Sequence, residues 1–74
     1  MMSEGIFMKV SYDRLWKLLI DKKMNKTQLR DAVGMSSSTI AKMSKEQEVA
    51  MPILMRICKT LDCNIEDIIE FVEE

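Results

Sequence analysis

Histidine is absent from this 74-residue chain, so the commonest metal ligand and the usual catalytic general base are both missing. The two cysteines, Cys58 and Cys63, stand five residues apart, and without histidine they can form neither a zinc-finger ligand set nor a Cys/His nucleophile pair. A Gly-rich phosphate loop is excluded because the two glycines are Gly5 and Gly34. These gaps point away from an enzyme and away from any metal or cofactor. No run approaches the roughly 18 apolar residues of a membrane span, and the first ten residues lack the basic start and apolar stretch of a signal peptide. A cytoplasmic location is expected, with both cysteines as reduced thiols. One proline and two glycines are too few for a loop-rich or disordered chain. One Trp, one Tyr and two Phe, not interleaved with basic residues, make a poor stacking platform for single-stranded nucleic acid. Tyr12 and Trp16 are expected in the core or at its rim.

What remains describes one small globular domain. Hydrophobic residues make up 47% and charged residues 31%, and a chain this short buries only about 60% of the surface its unfolded form exposes, so the core must be single. Eight methionines suit adaptable packing in such a core. The net charge of −1 hides a division. Residues 1–45 carry nine Lys or Arg against four Asp or Glu, whereas residues 46–74 carry two against eight. A basic half and an acidic half suggest one surface that meets a polyanion and another turned away from it.

The apolar spacing is helical. Residues 1–8 have no helical period and are expected to form an arm, either disordered or loosely docked, ahead of a domain at residues 9–74. Ser11 is a candidate N-cap for a first helix over 12–23, in which Leu15, Leu18 and Leu19 form a stripe widened by Trp16 and Ile20. Asn25 with Gln28 three residues on reads as a capping box, and Gly34 can take the left-handed conformation that ends a helix, so a second helix spans 26–33. Ser36 caps a third, over about 36–44, whose apolar edge is only Ile40 and Met43. Pro52 suits the first turn of a fourth helix, with Leu54, Ile57, Cys58 and Leu61 on one stripe. Asn64, followed by Glu66 and Asp67, opens a fifth carrying Ile65, Ile68, Ile69 and Val72. The expected fold is therefore all-α, a compact bundle of five helices.

The segment KTQLRDAVGMSSSTIAKM, Lys26 to Met43, carries the functional signal. It is a short helix, a turn of about three residues containing Gly34, and a polar helix with a hydroxyl-rich start. Leu29 and Val33 face inward, Met35 plugs the turn, and Ile40 with Met43 seats the third helix on the second. Ser37, Ser38, Ala41 and Lys42 are left facing outward, with Lys45 just beyond. A polar helix presented in this way fits the DNA major groove.

With Leu29, Gly34, Met35, Ile40 and Met43 at this spacing, Pro52 opening the next helix and LMRICKTLDCNIEDII closing the chain, the sequence resembles the Cro and phage-repressor type of helix-turn-helix regulators. It is most similar to short stand-alone members. The resemblance implies a lambda repressor-like fold and a cytoplasmic, sequence-specific regulator of transcription bound to double-stranded operator DNA. It implies base-edge contacts at Ser37, Ser38 and Lys42, and backbone contacts at Lys26, Thr27, Thr39 and Lys45. Three positions depart from the family. Lys26 replaces a frequent bracing glutamine, and Arg30 replaces a small residue where the two helices approach, so its stem must turn outward or the crossing must open. Ser44 to Glu48 fills a loop that often holds an acidic residue followed by glycine. Glu46 and Glu48 would repel phosphate if they faced it.

The apolar side of the fifth helix, Ile68, Ile69, Phe71 and Val72, is expected to pair two copies, since one short reading helix binds weakly and a two-fold partner supplies a second half-site. An alternative from another class is a protein-interaction module in which the acidic half, with Glu66, Asp67, Glu70, Glu73 and Glu74, docks a basic partner and DNA binding is slight.

Overall fold

The structure is a computed structural model that describes residues 7–73; Met1–Ile6 of the expected arm, and Glu74, lie outside them. In chain order the elements are a strand β1 (Met8–Ser11), helices α1 (Asp13–Asp21), α2 (Lys26–Val33), α3 (Ser37–Ser44) and α4 (Met51–Leu61), a single 3-10 turn (Ile65–Asp67), and a strand β2 (Glu70–Glu73). Four helices surround a core to which nearly every element contributes a wholly buried side chain: Leu15 from α1, Leu29 from α2, Met43 from α3, Ile57 from α4 and Ile68 just after the turn. Burial of such side chains is the main favourable term in folding.

The all-α, five-helix expectation is corrected at both ends of the chain. The fifth helix is one 3-10 turn, in which Asp67 accepts a hydrogen bond from the Asn64 amide at 3.0 Å, and the chain then straightens into β2. Beyond Asp67 the residues are Ile68, Ile69, Glu70, Phe71 and Val72, rich in β-branched and aromatic side chains that favour strand. Their partner is β1, within and beside the stretch expected to be an arm. The two strands run antiparallel, with Met8 opposite Glu73 and Ser11 opposite Glu70. Arg14 of α1 clamps this end, donating through Nη1 to the Glu66 carbonyl at 2.8 Å and pairing through Nη2 with Glu70 at 2.9 Å.

All four helices stop in the same manner. Each is followed by a residue in the left-handed region: Lys23 (φ 58°), Gly34 (φ 82°), Glu46 (φ 59°) and Asp62 (φ 54°). In each case the next amide reaches back five residues, as in Met24 N–H to the Leu19 carbonyl and Gln47 N–H to the Lys42 carbonyl, which satisfies carbonyls the helix end would otherwise orphan. Only Gly34 advertises its turn in the sequence. A Cβ placed on Gly34 would meet nothing within 4 Å, so Gly34→Ala is expected to cost about 1 kcal/mol from backbone conformation alone. A urea midpoint lowered with an unchanged slope is the expected result.

Cys58 and Cys63 are free thiols. Burial first, then the neighbouring Cys58, pushes the Cys63 thiol from 9.0 up to about 11. The Tyr12 hydroxyl is likewise raised from 10.0, by burial and then by Glu48, with a backbone hydrogen bond at Val49 opposing. Both groups favour the protonated folded state, so their contribution is complete below the unfolded values and is lost as pH rises through the folded ones. Stability should therefore decline from about pH 9 to beyond 11, and Cys63→Ala should flatten that decline in denaturation curves taken across the range.

Candidate nucleic-acid interface

The start of α2 is fixed by Asn25, whose side chain accepts from Gln28 N–H at 2.7 Å while Gln28 Oε1 accepts from Asn25 N–H at 2.9 Å. This reciprocal pair is the expected capping box. α3 begins at Ser36, whose hydroxyl oxygen accepts from Thr39 N–H at 3.2 Å. Its seam is narrow: Met43 is wholly buried and Ile40 packs at the core's edge. Ser37, Ser38, Ala41, Lys42 and Lys45 are all exposed. At helical spacing they occupy one outward face.

Two long side chains of α2 grip α3 at its two ends. Lys26 Nζ donates to Ser44 Oγ at 3.0 Å and lies 4.2 Å from the centroid of the Trp16 ring. Lysine thus supplies a bracing contact of its own, to the last residue of α3, and its ammonium has further donors to offer. Arg30 is half-buried, and its Nη1 donates to Ser37 Oγ at 3.0 Å. The crossing accommodates this large residue by sending its head outward across the first turn of α3. Trp16 is a rim aromatic stacked under Lys26, and Tyr12 is a core residue with 1% exposure, as expected.

The loop after α3 turns its acids away from the outward face. Glu46 pairs with Lys9 of β1 at 3.0 Å, and Glu48 acts on the Tyr12 hydroxyl. Tyr12 in turn donates to the Gln47 carbonyl at 2.7 Å. This anchoring holds the loop without the glycine that the family often has; Glu46 itself takes the left-handed conformation.

The expected contact residues therefore gather around one surface. Ser37, Ser38 and Lys42 lie on the face of α3, Lys45 caps its C-terminal end, Lys26 and Thr27 open α2, and Thr39 is half-buried with its hydroxyl 2.9 Å from that of Ser36. Arg30 belongs to this surface too. In the sequence it stands out only as a departure, an Arg where a small residue is usual. The residues expected to pair two copies are separated by burial. Ile68 is 0% exposed, Ile69 and Val72 are half-buried, and Phe71 is 68% exposed. Phe71 rims an apolar hollow of about 220 Å³ shared with Val10, Val49, Met51, Leu54 and Ile69. Among the described residues no helix is long and apolar enough to cross a membrane.

Comparison with known proteins bears on the family and the fold. A family model for the Cro/C1-type HTH DNA-binding domain matches residues 14–74, the span from α1 to the end of β2. The chain is similar to the uncharacterized HTH-type transcriptional regulator YozG of Bacillus subtilis (strain 168), with 36% identity over 56 residues that cover 73% of this chain and 67% of that protein. It is also similar to the crystal structure of the transcriptional regulator VanUg, Form II, at 47% identity and a TM-score of 0.91, over 100% of this chain and 99% of that one. The matched family is one of DNA-binding domains and not of enzymes, and DNA is the partner such a domain is built for. The chain belongs to the Cro/C1-type helix-turn-helix DNA-binding domains.

Proposed function

We propose that the protein is a sequence-specific regulator of transcription that binds operator DNA with α3 in the major groove. The observation that carries this reading is the division of α3 into a thin buried seam at Ile40 and Met43 and a wholly exposed face of Ser37, Ser38, Ala41 and Lys42. A helix with so little apolar surface is retained for what its other face does. Ser37, Ser38 and Lys42 meet base edges, while Lys26, Thr27, Thr39 and Lys45 meet the backbone. Phosphate contacts fix the register and base contacts supply the sequence preference. Of the acids near this face, Glu46 is drawn off by Lys9 and Asp31 is paired with Arg30, which leaves Lys26, Lys42 and Lys45 to make the surface positive despite a net charge of −1.

Two copies bind together, one on each half-site about 34 Å apart. The face around Phe71, flanked by Ile69 and Val72 and supported from beneath by Ile68, joins them. With two lysines per copy on phosphates, four counterions are released, and the logarithm of affinity should fall against the logarithm of salt with a slope of about −4. Titration of a labelled duplex across salt measures this directly. Absence of duplex binding at low salt would refute the reading.

A further inference from the structure

We propose that Arg30 fixes the hydrogen-bonding polarity of Ser37 and thereby excludes cytosine from one position of each half-site, an inference that rests on the groove reading above. Asp31 holds one edge of the Arg30 guanidinium: its Oδ1 accepts from Nε at 3.1 Å and lies 3.0 Å from Nη2. The remaining amino group, Nη1, donates to Ser37 Oγ at 3.0 Å. Asp31, Arg30 and Ser37 thus form a chain from the outer side of α2 to the first residue of α3.

A serine hydroxyl has one proton and two lone pairs, and free serine adapts to donors and acceptors alike. A charged N–H occupying one lone pair changes that balance. The bond is charge-assisted, and the hydroxyl proton turns away from Nη1 toward the exposed side, where Ser37 faces solvent. The second lone pair sits beside a positive group and accepts poorly. Ser37 therefore offers the groove a donor. Purine N7, guanine O6 and thymine O4 accept from it, whereas the amino group of cytosine is itself a donor and finds no partner.

Ser38 shows the contrast. Its hydroxyl lies 2.9 Å from that of Ser36, which is also 2.9 Å from the hydroxyl of Thr39, and either member of each pair can donate. Among the described residues no charged group is bonded to that cluster, so Ser38 adapts to any base. Two adjacent serines on one face thus differ in selectivity because of a residue on another helix. Arg30 is a positioning residue here, acting through Ser37. Asp31 holds the guanidinium in place and cancels its charge toward the phosphates.

Selection of preferred sites from random duplex DNA, with the full chain and its Arg30→Met, Asp31→Asn and Ser37→Ala variants, tests this. The parent should deplete cytosine about fivefold at one half-site position, as expected for one hydrogen bond. Arg30→Met and Ser37→Ala should each erase the depletion at that same position and leave the others intact. Asp31→Asn should weaken it while raising affinity for unselected DNA. Depletion that survives Arg30→Met, or effects of Arg30→Met and Ser37→Ala at different positions, would overturn the inference alone. Failure of the parent to enrich any sequence would overturn it together with the groove reading.

Discussion

Replacing Lys26, Lys42 and Lys45 together by alanine should lower affinity for an operator duplex by about three to four orders of magnitude at about 0.1 M salt, as expected when the two phosphate-bound lysines of each copy, Lys26 and Lys45, are removed along with the base contact of Lys42. Lys42 and Lys45 are exposed on and just beyond α3, so their loss leaves the fold intact. Lys26 also contacts Ser44 and Trp16, and its removal loosens the far end of α3. The salt dependence separates the two effects. Lost phosphate contacts flatten the slope, whereas a displaced helix lowers affinity with the slope kept. A triple variant that binds as the parent does at all salt concentrations would show that this face does not meet DNA.

Ile68→Asp and Phe71→Asp should differ sharply although they lie three residues apart. Ile68 is 0% exposed, in the core with Leu15, Leu29 and Ile57. An unpaired carboxylate there costs more than about 4 kcal/mol, a large part of the roughly 4–11 kcal/mol expected for a domain of this length. The variant should be largely unfolded at 37 °C by circular dichroism. Phe71 is 68% exposed, and Phe71→Asp should remain folded with a melting temperature close to that of the parent. What it should lose is pairing: sedimentation on a two-half-site duplex should show one copy bound where the parent binds two. Two copies of Phe71→Asp bound as tightly as the parent would place the pairing surface elsewhere.

The helices were legible because their signals are local. Asn25 with Gln28, Gly34, Ser36 and Pro52 each mark a boundary within a few residues, and the stripes of Leu15, Leu18 and Leu19 and of Leu54, Ile57, Cys58 and Leu61 are a matter of period. α2 matches expectation to the residue. α1 begins one residue later than expected, with Tyr12 at the N-cap position, and Ser11 Oγ accepts from Asp13 N–H at 3.3 Å from two positions upstream. The strands were not legible. β1 and β2 lie about sixty residues apart, each is four residues long, and neither alternates long enough to show a period. Each becomes a strand because the other is there. Asn64, Glu66 and Asp67 gave a true helix-start signal, but it governs a single turn before β-branched residues and the waiting partner strand prevail.

At the interface the sequence marked the exposed face of α3 and the lysines around it. It could not show that Glu46 is drawn off by Lys9, since those residues are 37 apart in the chain. Nor could it show Arg30 reaching Ser37. An arginine stem has several directions available, and only the packed crossing of α2 and α3 selects one.

The claim that α3 enters the major groove is tested most directly by methylation interference with dimethyl sulfate on a selected operator. Guanine N7 lies in the major groove and adenine N3 in the minor. Methylation at guanine N7 should block binding in two clusters about one helical turn apart, with adenine N3 methylation tolerated. Interference confined to adenine N3, or guanine methylation without effect at any position, would contradict the account.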